Sequence, residues 1–217
     1  MNKDKINMKN KWFKILLIIV GIILIVFGLY TIFGKVGKVS RAFLNKFNEI
    51  QNVLVVIGND MQDAGNLLTG IGARETAKDY QGAVFDLNAV LDKMTDIETQ
   101  AKDLETKAAE LKTMADVVKD TATKDSGLKF VDLIGQTSAI DLKIVDEIRQ
   151  LMGPAKKYYE DLAAGKKATF PASAQYMALG EKLQADVQTA GEIGVKFDAA
   201  SKELAKVAGF KLKPIKK

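Results

Sequence analysis

Residues 77–122, AKDYQGAVFDLNAVLDKMTDIETQAKDLETKAAELKTMADVVKDTA, carry the pattern that decides the fold. Apolar side chains recur at Ala77, Tyr80, Val84, Leu87, Leu91, Met94, Ile97, Ala101, Leu104, Ala108, Leu111, Ala115, Val118 and Ala122. Their steps alternate between three and four residues, the spacing of one face of an α-helix packed against another. The other face is charged, with Asp92, Lys93, Asp96, Lys102, Asp103, Glu105, Lys107, Glu110 and Lys112 at helical spacing. Charges so arranged are a solvated face rather than a catalytic carboxylate pair. Unbroken, such a helix would extend about 70 Å.

On the N-terminal side, Phe43, Phe47, Ile50, Leu54, Ile57, Met61, Ala64 and Leu68 form a second heptad seam, and the cluster Gly65, Gly70, Gly72 predicts a helix end or hinge. On the C-terminal side, TATKDSG (121–127) reads as a polar break with Asp125 or Ser126 as N-cap. A third helix is expected over about 128–152, with Phe130, Leu133, Ile140, Ile144, Ile148 and Leu151 inward and Gly153-Pro154 stopping it. The last helix is expected from Ser173, as N-cap, to about 208 through Leu183, Val187, Ala190, Ile193, Phe197, Ala200, Leu204 and Val207. The 3, 3 steps at Leu91-Met94-Ile97 and Val187-Ala190-Ile193 fit either a shared overwound layer or an irregular bundle. Breaks this short make consecutive helices antiparallel neighbours. The expectation is all-α, an elongated, coiled-coil-like antiparallel four-helix bundle over 39–208, without strands.

Residues 15–33, ILLIIVGIILIVFGLYTIF, contain no charge and as a helix would cross roughly 28 Å, the thickness of a bilayer's hydrocarbon core. They predict a single transmembrane helix following a basic flank (1–14) and leading through a joint (34–38) to the bundle. Trp12 and Tyr30 suit the two headgroup levels and Lys14 can snorkel. A buried core helix would not need apolar residues all round. A cleaved signal peptide would need a shorter run and a nearby small-x-small site, whereas Ser40-Arg41-Ala42 is distant, so the segment reads as an uncleaved signal anchor. Gly21 and Gly28 lie on roughly one face, where they would let two anchors approach or reflect ordinary glycine usage. Five positive residues before the span and four just after it favour a cytoplasmic N-terminus and an extracytoplasmic domain.

The net charge of +5 is unevenly spread: residues 1–14, 34–50 and 206–217 carry +4, +3 and +5, and subtracting them leaves about −7 for the body. Basic ends on an acidic body point to a membrane surface rather than to nucleic acid. Residues 209–217, GFKLKPIKK, predict a lipid-surface contact through Phe210, Lys211, Lys213, Lys216 and Lys217, or else a solubilising tail.

The chain has neither cysteine nor histidine, which removes thiolate chemistry, His-dependent triads and the usual nitrogen ligands of zinc or iron. No calcium loop, phosphate loop or nucleophile elbow is present. No catalytic, metal or cofactor residue is therefore assigned. One stretch, 153–174 with Tyr176 beyond it, departs from helix texture and gathers Lys156, Lys157, Tyr158, Tyr159, Lys166, Lys167, Phe170 and Tyr176. Aromatic faces beside cations can hold an anionic or sugar-like ligand or a partner protein. The ordinary reading is a short helix over about 155–163 whose tyrosines cap the core while its lysines face water. These features predict a non-enzymatic, membrane-anchored scaffold or spacer at a cell envelope, bound to lipid and to another protein or itself, with no cofactor. A ligand-sensing extracytoplasmic domain using 153–176 is the alternative.

Overall fold

The computed structural model describes residues 30–33, 37–170 and 173–214. Four helices make up nearly all of it: α1 (Arg41–Thr76), α2 (Tyr80–Asp116), α3 (Thr121–Ala163) and α4 (Ala174–Ala208). They form an all-α four-helix bundle. Two four-residue strands, β1 (Tyr30–Phe33) and β2 (Lys211–Pro214), pair antiparallel, Tyr30 opposite Pro214 and Phe33 opposite Lys211. Among the described residues no helix is long and apolar enough to cross a membrane.

The first seam and the α3 stripe became core in full, while in the 77–122 stripe Ala77 and Ala122 are exposed and Tyr80 and Val118 half-buried, and in the last Ala190 and Val207 are half-buried. All eight residues of the first seam are buried, as are the six expected of α3. In α2 the N-terminal part of the stripe is rotated, so that Ala83 and Val90 are buried rather than Val84 and Leu91.

The described residues cluster into two compact units. The first comprises Asn59–Glu98 and Leu142–Thr189. Within it Lys93 pairs with Asp60 (2.6 Å) and Arg74 with Asp86 (3.0 Å), which sets α1 and α2 antiparallel. On the α3–α4 side Lys143 pairs with Asp186 (2.6 Å), Lys182 with Glu147 (2.8 Å), and the Tyr176 hydroxyl donates to the Leu151 carbonyl (2.7 Å). The second unit comprises 30–58, Thr99–Asp141 and 190–214 of the described residues. Its centre is an aromatic stack: Phe47 lies on Phe130 (4.8 Å between centroids), Phe130 meets Phe197 (4.9 Å), and Phe210 sets its edge against Phe47 (5.8 Å).

Several boundaries differ from the sequence reading, each for a local reason. Helix α1 passes through Gly65, Gly70 and Gly72 to Thr76. A helical glycine costs about 1 kcal/mol against alanine, less than burying the adjacent Leu68 and Ile71 returns. The turn falls instead at 77–79, with Lys78 left-handed (φ 59°) and Asp79 capping α2 by accepting the Gly82 N–H (2.9 Å). The next break is 117–120, earlier than the TATKDSG stretch, and Asp120 rather than Asp125 or Ser126 is the N-cap, accepting the Thr123 N–H (3.0 Å). Helix α3 runs on through Gly153-Pro154 to Ala163. Both residues are exposed, as is Gln150, whose carbonyl loses its partner at the proline, so water can solvate it; Gly153 offers no Cβ to the proline ring. Ser173 caps α4 as expected, accepting the Tyr176 N–H (3.2 Å).

The ribbon was not expected. Tyr30–Phe33 close the apolar run as a strand rather than as helix, and Lys211–Pro214 are a strand rather than a tail. Trp12, Lys14, Gly21 and Gly28 of the anchor, like Lys216 and Lys217, lie outside the described residues. Gly209 (φ 78°) ends α4 by turning the chain so that its own N–H and that of Phe210 both reach the Ala205 carbonyl (3.0 Å). This turn sends Phe210 into the aromatic stack, 6% exposed, and removes it from the set of surface contacts. Opposite, the Lys38 N–H donates to the Ala208 carbonyl (2.8 Å). A Cβ at Gly37 would stand 1.9 Å from that same oxygen, so only glycine allows the approach.

Candidate functional site

The aromatic residues of 153–176 do come together. Tyr158 sits edge-on to Tyr159 (5.0 Å) and Phe170 (5.2 Å), and Phe170 to Tyr176 (5.9 Å). The three tyrosines are 9%, 2% and 6% exposed, so their rings are spent on packing. Tyr159 donates to Glu75 Oε2 (3.3 Å), and burial, with the charge of Glu75 and the neighbouring Tyr158, pushes its phenol well above the ordinary range. The lysines stay outside. Lys156 pairs with Glu160 (3.3 Å), and Lys157 and Lys166 share Asp161 (3.0 and 3.4 Å) and hold its carboxyl below the usual range. Lys167 is exposed. The grouping is a core cap with an ion-paired rim, built on the last turns of α3 and not on the separate short helix expected over about 155–163.

An open groove of about 840 Å³ lies in the first unit, between α1 and α2. Leu67, Gly70, Ala73, Arg74, Asp86 and Lys93 are among its lining. Its cations are ion-paired. Arg74 holds Asp86 and Asp79 (2.6 Å), and Lys93 holds Asp60 and Asp63 (3.2 Å). The two acids beside each cation raise its pKa and leave the groove with an excess of acid, four carboxylates to two cations, each cation already paired.

Buried carboxyls are the feature that sequence reasoning missed. Asp141, on α3 in the second unit, is 5% exposed with Oδ2 unpartnered, and burial alone pushes its carboxyl up to about 7. In the first unit Glu147 (1% exposed) faces Asp186 across α3 and α4. Burial is the main cause that holds the Glu147 carboxyl above its usual range; the hydrogen bond from Lys182 works against it and Asp186 adds to it. Burial also raises Asp186, but hydrogen bonds from Lys143 and Glu147 win and hold it low. A lysine stands on either side, Lys182 on Glu147 (2.8 Å) and Lys143 on Asp186 (2.6 Å). Among the described residues no three His, Cys, Asp or Glu side chains converge on a metal-sized site.

The second unit has one end where several segments meet. Lys38 pairs with Asp120 of the 117–120 turn (3.0 Å), the Thr123 hydroxyl lies within hydrogen-bond reach of Asp120 Oδ1 (2.6 Å) and the Val207 carbonyl (3.2 Å), and β1 joins β2. The Thr123 hydroxyl, then Lys38 and the Thr123 N–H, lower the Asp120 carboxyl to about 2. Lys211 and Lys213 are exposed there. No protein family matches the sequence, and no curated protein or solved structure matches it either.

Proposed function

We propose that this chain is a non-enzymatic interaction protein, a helical bundle fixed to a membrane that spaces or docks partners on the extracytoplasmic side of a cell envelope. The observation that carries the reading is the β1–β2 ribbon, which ties the last residues of the apolar run to the chain leaving α4. Whatever holds residues 15–29 thereby holds the end of the bundle as well. The uncharged run before β1, with Lys14 snorkelling outward, would supply the anchor. Backbone leaving the hydrocarbon must find hydrogen-bond partners, and β2 supplies them to β1 at that level. The ion-paired groove and the packed tyrosines favour a protein or lipid partner over a small molecule.

Fractionation of cells expressing the full chain tests the anchor. The protein should stay in the membrane pellet through high salt and alkaline carbonate, leave it in detergent, and keep its full mass. Uncleaved chain in the carbonate supernatant would overturn it. Lysine-reactive crosslinking in the same membranes should give a higher-mass species, homomeric or mixed; monomer alone would refute the interaction half.

A further inference from the structure

At the end of the second unit where β1, β2 and the α2–α3 turn meet, Val117 is 76% exposed, directly after the last residue of α2. A large apolar side chain so exposed on a turn gains nothing from water. Its surroundings are basic. The nearest carboxylates, Asp116 and Asp120, are already held by Lys124 (3.3 Å) and Lys38 (3.0 Å), and Asp125 stands one turn into α3. Arg41, Lys119 and Lys211 are exposed on the same unit. An exposed apolar side chain on a unit end that also carries exposed cations has the chemistry of an interfacial lipid contact: the apolar tip enters the headgroup–acyl boundary and the cations meet phosphates. The face is continuous, through β1, with the end of the apolar run.

We infer that this end of the unit docks on an anionic phospholipid surface, with Val117 in the boundary and Arg41, Lys119 and Lys211 on lipid phosphates. The orientation this gives the bundle rests on the anchor proposed above, although the contact itself does not. Docking fixes the bundle at a second point besides the anchor and makes its standing dependent on lipid charge and ionic strength.

The chain has no cysteine, so Val117→Cys in the full-length protein accepts one polarity-sensitive fluorophore at one place. Val195→Cys is the control, because Val195 is 68% exposed on α4, roughly 20 Å of helix before Ala208. In vesicles of phosphatidylcholine mixed with phosphatidylglycerol the label at 117 should shift to the blue and brighten several-fold. In phosphatidylcholine alone, or at high salt, it should not, and the label at 195 should stay unchanged throughout. Lys119→Gln and Lys211→Gln should each weaken the docked population by about fivefold. An unshifted label at 117, or an equal shift in both vesicle types, would overturn the proposal. A shift in a chain that alkaline carbonate extracts would sink the anchor and leave the docking face standing; a retained chain with no shift would do the reverse.

Discussion

Asp141 shows how a single side chain can be visible in a sequence and still be passed over. It sits beside Ile140, four residues before Val145, on the flank of the stripe that α3 buries. The pattern was an acid at an apolar position, and the charged texture of the surrounding chain concealed it. Its carboxyl is protonated more readily folded than unfolded, so the folded state binds the extra proton between about pH 4 and about 7. Stability falls as pH rises through that window and is level above it. Asp141→Asn should therefore raise stability at pH 8 by on the order of 1 to 4 kcal/mol and change it little at pH 4, read by urea unfolding at both values. No gain at pH 8 would mean that the carboxylate is solvated. Tyr176 was legible as a member of an aromatic cluster but not as a clamp. Its hydroxyl reaches the Leu151 carbonyl, one residue past the oxygen that Pro154 leaves without a donor. Tyr176→Phe should cost about 1 kcal/mol in the same assay with the helix content retained.

Elements were legible where burial sets them and illegible where local signals were set against burial. Every expected inward residue of α3 is in the core, and so is the whole first seam, because a heptad stripe of that length leaves one way to hide it. Helix ends were missed at the glycine cluster, at TATKDSG and at Gly153-Pro154. A glycine or exposed proline costs about 1 to 3 kcal/mol, which a helix anchored by Leu68 and Ile71 on one side of the break, or by Tyr158 and Tyr159, can absorb. The same comparison gives two expectations. Pro154→Ala restores a donor to an exposed turn and should stabilise the protein by up to about 3 kcal/mol in denaturant unfolding. Phe130→Ala removes the middle ring of the stack with Phe47 and Phe197 and should cost about 3 to 5 kcal/mol.

For the molecule as a whole, four amphipathic segments and short breaks were enough to foresee the bundle. The ribbon was hidden because four residues carry no periodicity: Tyr30–Phe33 read as the end of the apolar run and Lys211–Pro214 as a basic tail. Of the candidate lipid contacts, Lys211 and Lys213 are exposed while Phe210 is interior, a separation made by the Gly209 turn that composition does not register. A chain that begins at Gly37 should keep its helix content by circular dichroism, leave the membrane fraction, and lose hydrogen-exchange protection over Lys211–Pro214; persistent protection would show β2 held by something other than β1. The pairing of Tyr30 with Pro214 also has a bearing on synthesis. A ribosome adding about 5–20 residues per second finishes the second strand roughly ten to forty seconds after the first. Until then β1 waits without its mate, and a polypeptide terminated before Lys211 can never close the ribbon.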